Sequence, residues 1–346
     1  MRIRGINYDT GFINAGSTTH EPFEPLVVKR EMQIIHDDLH CNAVRVTGGY
    51  AERLEVAAAH AADAGLEAWF CPFTNNLTGE EVLELIDDCA ERAERLRKRG
   101  AEIVLFTGSE LSIANTGFLP GDSLAERIAV LAEPQRVRAL IPEIRARVRE
   151  LLKQAVDVVR SRFAGRVSYA SLPFERVDWR LFDIISTDAG YRTAAMAPRF
   201  RDDIRAFVAQ GRTQGKPVAI TEFGCGSHRG ASSLADRDDS MIEWGDGARP
   251  VRLKGDYTRD EDEQARYVRE LLEVFETEGV DAAFVYTFAR YDLPHRSAAH
   301  EDLDLASKGV VRVLEGRYGR RYPDMAWEPK AAFGALAEYY GALGNE

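Results

Sequence analysis

A single closed (β/α)8 barrel over residues 1–346 is the fold class that the sequence predicts. Eight short apolar runs recur along the chain, most of them are separated by stretches of helical periodicity, and no composition break or Pro/Ser-rich linker divides the halves. Parallel strands joined by helices point one way, so the charged ends of these runs fall on one side. An open doubly wound sheet is the competing topology, but no GxGxxG follows the first run.

The first strand covers residues 2–8 and gives way to a loop at Asp9 and Gly11. Over residues 24–39, Val28, Met32, Ile35 and Leu39 recur at helical spacing. The second strand, 42–47, ends at Gly48 and Gly49 and carries Arg45, a cation in a run otherwise fit for burial. An Ala-rich helix over 52–64 stops at Gly65, as a C′ glycine makes it do. The third strand, 67–72, precedes the polar loop of Thr74, Asn75 and Asn76. A helix over 79–98 closes on Arg97, Lys98, Arg99 and Gly100, basic groups and a glycine where the macrodipole and the C-cap favour them. The fourth strand, 103–110, ends in Ser109 and Glu110.

Residues 111–134 exceed an ordinary loop and include a short helix over 123–132; long loops at this end of the strands build substrate walls. A long amphipathic helix over 135–163, bent at Pro142, carries Arg and Glu on a solvated face. The fifth and sixth strands, 167–171 and 182–188, are joined by residues 172–181, too few for a full helix. A helix over 199–215 leads to the seventh strand, 217–224, which is apolar until Glu222. A polar insertion over 224–258 follows, then a helix over 260–278 with Tyr267, Leu271, Leu272 and Phe275 as its apolar stripe. The eighth strand, 282–288, precedes a long tail and a helix over 329–340, so long loops are expected after strands four, seven and eight.

Lys and Arg total 45 against 56 Asp and Glu, a net charge of −11 that disfavours nucleic acid as a partner. No window approaches about eighteen uninterrupted apolar residues, so no membrane span is expected. The chain enters its first strand without a charged n-region, an apolar h-region or a cleavage site, which points to the cytoplasm. Cys41, Cys71, Cys89 and Cys225 lack CxxC spacing and are expected as reduced thiols, Cys225 as a packing residue.

In a barrel the strand ends converge on one bowl, where Glu110 and Glu222 would face each other. Two facing carboxylates suit glycosidic cleavage, one protonating the leaving oxygen while the other attacks the anomeric carbon or activates water. Taken singly, each also fits a rim residue paired with an arginine or a helix N-terminus.

Their placement on strands four and seven resembles the clan A glycoside hydrolases over nearly the whole chain. The residues that carry the resemblance are the Gly5-Ile6-Asn7-Tyr8 start, Arg45 on strand two, Tyr191 beyond strand six, the Ile220-Thr221-Glu222-Phe223-Gly224 run, and Tyr286 to Phe288 on strand eight. It implies Glu222 as the nucleophile of a retaining mechanism, Glu110 as the acid/base, Arg45 and Tyr191 as partners of the nucleophile, and Tyr286 in an aromatic platform for the sugar. Asn7 either reaches the same bowl or caps a turn. Ser109 stands where the family usually has an Asn that contacts the sugar 2-hydroxyl, and Trp244 on the insertion is the candidate for a tryptophan that the last strand lacks. Asp188 and Glu175 are open between sugar hydroxyls and rim salt bridges. Residues 221–231 and 302–311 also resemble actinobacterial glycosidase-like barrels labelled abortive infection proteins, a label that describes no chemistry.

The implied partner is a small glycoside or oligosaccharide, with no cofactor and no metal. His20, His228, His295 and His300, with Asp292, Asp302 and Asp304, match no metal-ligand spacing, and no GxSxG or Walker-type loop occurs. Two other functions fit the same barrel: a lyase or isomerase that uses the carboxylates for proton transfer, and a non-catalytic binding or phage-defence protein on a glycosidase scaffold.

Overall fold

In a computed structural model, which describes residues 1–344, the eight runs become β1 (Ile3–Asp9), β2 (Ala43–Gly48), β3 (Glu67–Pro72), β4 (Ile103–Ser109), β5 (Arg166–Ser171), β6 (Ile185–Thr187), β7 (Val218–Phe223) and β8 (Ala282–Val285). Each strand pairs in parallel with its neighbours in sequence, and β8 closes onto β1. The predicted (β/α)8 barrel is therefore what the chain forms. Residues 345 and 346, the end of the predicted span, lie outside the described residues.

Strands covered on both faces need apolar side chains on both, which is why runs such as Ile103 to Phe106 show no polar alternation. Their inward residues, among them Ile3, Ala43, Trp69, Val104, Phe106 and Phe284, fill the barrel. Phe284 packs 4.5 Å from Trp69 between ring centres, and Gly5 gives it room, since a Cβ there would lie 2.3 Å from the Phe284 ring. Burial of each such ring contributes about 2–3 kcal/mol.

The outward residues pack against α1 (Pro25–Asp37), α2 (Ala51–Asp63), α3 (Gly79–Lys98), α6 (Pro134–Arg162), α7 (Phe200–Gln214), α8 (Glu261–Glu278) and α9 (Ala331–Leu343), while the short α4 (Leu111–Ala114) and α5 (Leu124–Leu131) lie in the loop after β4. A capping box of Thr78 and Glu81 starts α3, and the Asp260 carboxylate caps α8. Instead of breaking at Pro142, α6 runs through it; the residues before Pro142 are mostly exposed, so the carbonyl it leaves unpaired faces water. Two short 3-10 turns, Pro173–Glu175 and Trp179–Leu181, make the predicted short crossover between β5 and β6. Among the described residues no helix is long and apolar enough to cross a membrane.

Two irregularities in the ladder bear on the site. On β8, Ala283 pairs with Ile220 but Val285 pairs with Phe223, so β7 holds one residue more than its partner. On β5, Ser168 pairs with Phe106 but Ala170 pairs with Ser109, so β4 holds one more as well. Extra residues of this kind re-aim the side chains that follow them.

Candidate active site

Strict alternation along β7 turns Ala219 into the barrel and Ile220 out against the helices, and would send Glu222 out with Ile220. The extra residue reverses this, and Glu222 enters the bowl, where it meets Arg45 and Tyr191.

On β4 the slack falls at Gly108, whose φ is +125°, and Glu110 then takes a left-handed conformation at φ 46°, ψ 38°. A non-glycine residue holds that conformation only where its surroundings fix it. The Glu110 N–H donates to the Ala170 carbonyl at 2.9 Å, and its own carbonyl accepts from Ile113 and Ala114, both at 3.0 Å. Leu111 N–H donates to the Tyr169 hydroxyl at 2.9 Å, and Ser112 donates through its hydroxyl to Glu175 at 2.6 Å. Glu175 also accepts from Tyr169 and from Leu172 N–H, each at 2.8 Å. It is buried as a clamp on the Glu110 turn, neither a sugar ligand nor a rim ion pair.

Beneath Glu222 lies Arg45, 0% exposed and 5.5 Å from the Phe106 ring centre. Its Nη1 donates to Glu222 Oε1 and to Asn7 Oδ1, both at 3.1 Å, and to the Thr221 carbonyl at 3.3 Å. The Asn7 amide donates to the same carbonyl at 2.8 Å, so Asn7 braces β7 and does not cap a turn. Asp188, 1% exposed, sits 3.3 Å from Arg45 Nη1 and accepts the Ser109 hydroxyl at 2.6 Å. The structure buries Asn7, Arg45, Ser109 and Asp188 beneath the bowl floor as a network around Glu222.

Tyr191 donates its hydroxyl to Glu222 Oε2 at 3.1 Å. Tyr286 is partly buried at the end of β8, its N–H donating to the Phe223 carbonyl at 2.8 Å, and a cis peptide joins it to Thr287. Gly224 passes beneath it at φ +154°, and a Cβ there would lie 2.4 Å from the Tyr286 carbonyl oxygen. Gly224→Ala is therefore expected to destabilise the fold by about 2–4 kcal/mol, measured by urea unfolding. Trp244 is not brought into this group. It stands 40% exposed on the hairpin Ile242–Trp244 with Pro250–Leu253, its indole N–H donated to the Asp239 carbonyl at 3.3 Å.

The two carboxyls differ in what surrounds them. Burial, then the Asp188 charge, push Glu222 up to about 7, against the pull of Arg45 and the Tyr191 hydroxyl. Burial, then Asp188, Glu222 and Glu175, push Glu110 well above the usual carboxylate range, and Arg45 only partly offsets them. Among the described residues no group donates a hydrogen bond to the Glu110 carboxyl, whereas Glu222 receives two. The first proton lost by the pair therefore leaves Glu222, and Glu110 keeps its own.

Sequence reasoning missed Lys308, which lies 5.6 Å from the Tyr191 ring centre and pairs with Asp238 at 3.1 Å. The available signal was the one that marked Arg45, a cation within a buried small and apolar run, here Ala306 to Val311. The histidines go to separate contacts: His20 with the Asp9 carbonyl at 2.7 Å, His228 with Asp238 at 3.3 Å, His295 with Asp302 at 2.8 Å and His300 with Asp256 at 3.4 Å.

No protein-family model matches the chain, and no curated protein matches it. Solved structures do. A GH113 β-1,4-mannanase is 17% identical at a TM-score of 0.61, with 98% of this chain and 99% of that one covered. The GH113 β-mannanase AaManA from Alicyclobacillus acidocaldarius is 16% identical at 0.60, with 99% and 97% covered. The β-glucuronidase of Parabacteroides merdae is 16% identical at 0.57; the alignment takes in 98% of this chain but 37% of that larger one. What the chain shares with these structures is the fold, a single (β/α)8 barrel. In this barrel Glu110 follows β4 and Glu222 lies on β7.

Proposed function

We propose that the chain is a retaining glycoside hydrolase acting on a small glycoside or oligosaccharide. The observation that carries this is the asymmetry of the two carboxyls: one is held by a guanidinium and a phenol and ionises first, the other lacks donors and stays protonated. A Glu222 oxygen bonds to the anomeric carbon as the glycosidic C–O bond breaks, and the Glu110 proton passes to the leaving oxygen. Glu110, now a carboxylate, then takes a proton from water as the water oxygen displaces Glu222, which returns both groups to their starting state. Tyr286 at the bowl edge is the aromatic surface for the sugar. The fold, with the strand positions of the two carboxylates, supports the reading. The buried Asp302 to Val311 stretch keeps the likeness to the actinobacterial glycosidase-like group within it. A cytoplasmic place rests on the four free and buried thiols.

Aryl β-mannosides, β-glucosides and β-glucuronides are the first substrates to try, with the anomer released followed by proton NMR; release of the inverted anomer refutes retention. Glu110→Ala is expected to lower kcat about 10²–10⁴-fold on substrates with poor leaving groups, and much less on activated aryl glycosides that need no proton. Azide should restore turnover and yield the glycosyl azide. If the whole panel stays intact while Glu110 remains essential to another conversion, the site works by proton transfer on a different substrate.

A further inference from the structure

Arg45 offers one nitrogen to more acceptors than it has hydrogens. Nη1 lies within 3.1 Å of Asn7 Oδ1 and Glu222 Oε1, and within 3.3 Å of the Thr221 carbonyl and Asp188 Oδ1. A guanidinium NH₂ carries two hydrogens, so the three hydrogen-bonded acceptors already share them and Asp188 Oδ1 meets Nη1 only as an ion pair. Nη2 is turned to the Cys71 sulfur at 3.4 Å, and Nε has no hydrogen-bond partner among the described residues. Glu222 and Asp188 thus draw on the same end of one buried cation. Asp188 Oδ1 has no hydrogen bond of its own, while its other oxygen is fixed by Ser109, the residue next to Glu110.

We propose that Asp188 is a positioning residue that holds Arg45 whenever Glu222 is neutral and, by competing for the same nitrogen when Glu222 is charged, keeps that carboxylate basic. The catalytic consequence rests on the glycosidase reading above; the charge relation does not. When Glu222 becomes an ester its charge disappears, and Arg45 at 0% exposure would be a lone buried cation. Asp188 supplies a standing counter-ion through that interval and leaves Arg45 in place for the returning carboxylate.

Around Asp188 stand Arg45 from β2, Cys71 from β3, Ser109 and Glu110 at the end of β4, Tyr191 from its own segment and Glu222 from β7. Arg45 is the one cation in that group, and burial holds the Cys71 thiol and the Tyr191 phenol in their neutral forms. Among the described residues no other anion pairs with Arg45 once Glu222 is neutral. A like charge beside a carboxylate disfavours its ionisation, so removing the Asp188 charge lowers the pH at which Glu222 loses its proton.

The test is a carbon-13 NMR titration of labelled glutamate carboxyls, with Glu222→Gln used to assign the Glu222 resonance. In Asp188→Asn the Glu222 midpoint is expected to fall by about one pH unit or more. Asp188→Glu, which keeps the charge, should stay near the wild-type midpoint, and Ser109→Ala should move it by less than about half a unit. An unmoved midpoint in folded Asp188→Asn overturns the proposal, and so does an equal fall in Asp188→Glu. If Asp188→Asn does not fold, Asp188→Ser supplies the neutral variant. The titration needs no turnover: a shifted midpoint in a protein that cleaves no glycoside removes the proposed reaction and leaves the role of Asp188 standing. With turnover, the acid limb of the kcat/KM profile in Asp188→Asn, which reports the free enzyme, should move to lower pH by the same amount as the midpoint.

Discussion

Glu222→Gln abolishes glycoside turnover, with kcat expected to fall about 10⁵-fold, while the melting temperature stays at or above that of the wild type. The amide keeps the shape of the carboxylate, its oxygen can still accept from Arg45 while its NH2 donates to the Tyr191 hydroxyl, but that oxygen does not attack an anomeric carbon. Stability does not suffer, because the substitution removes a carboxylate whose burial already pushes it up to about 7. For such a raised group, stability is fully present below its unfolded value of about 4 and is lost as pH rises through about 7. The variant should therefore gain on the wild type most clearly above pH 7. An activated 2-fluoro glycoside should attach to Glu222, located by mass spectrometry of the digest; attachment to any other residue rejects the nucleophile assignment.

Arg45→Met should cost about 3–5 kcal/mol at neutral pH, because it leaves Glu222 and Asp188 buried with no cation between them. Against a total stability of about 5–15 kcal/mol, that brings the protein close to unfolding. The loss should also depend on pH. Without Arg45 the Glu222 carboxyl rises further, so its destabilising effect is absent below about pH 4 and grows as pH passes through the raised folded value. Urea unfolding at pH 5 and pH 8 measures this; an equal loss at both would assign the effect of Arg45 to packing on Phe106 instead of charge.

The barrel was legible in the sequence because parallel strands covered on both faces leave long apolar runs, and because Gly65 and Gly100 mark helix ends plainly. Glu110 and Glu222 were legible as acids that close such runs, and Arg45 as a cation within one. Alternation alone did not give the direction in which the side chains point, since it would turn Glu222 toward the helices. Ser109 and Asp188 illustrate a second limit. The resemblance put Ser109 where an Asn would meet a sugar and Asp188 was open between a sugar hydroxyl and a salt bridge, and the two bond to each other at 2.6 Å. The partner of a short polar side chain depends on which strand ends meet. Trp244 meets a related limit: an aromatic residue on a long insertion has no register to fix it.

The extra residues in β4 and β7 also govern how this chain can be compared with others. Hydrogen-bonded partners stay in phase from the bottom of each strand up to Phe106 and Ile220, then slip by one. Matching that follows the inward and outward rhythm of these strands loses step just before Glu110 and Glu222. Deleting one residue from the β7 slip would make the ladder more regular and rotate the carboxylate out among the helices. A more uniform barrel would be obtained, and an inert one.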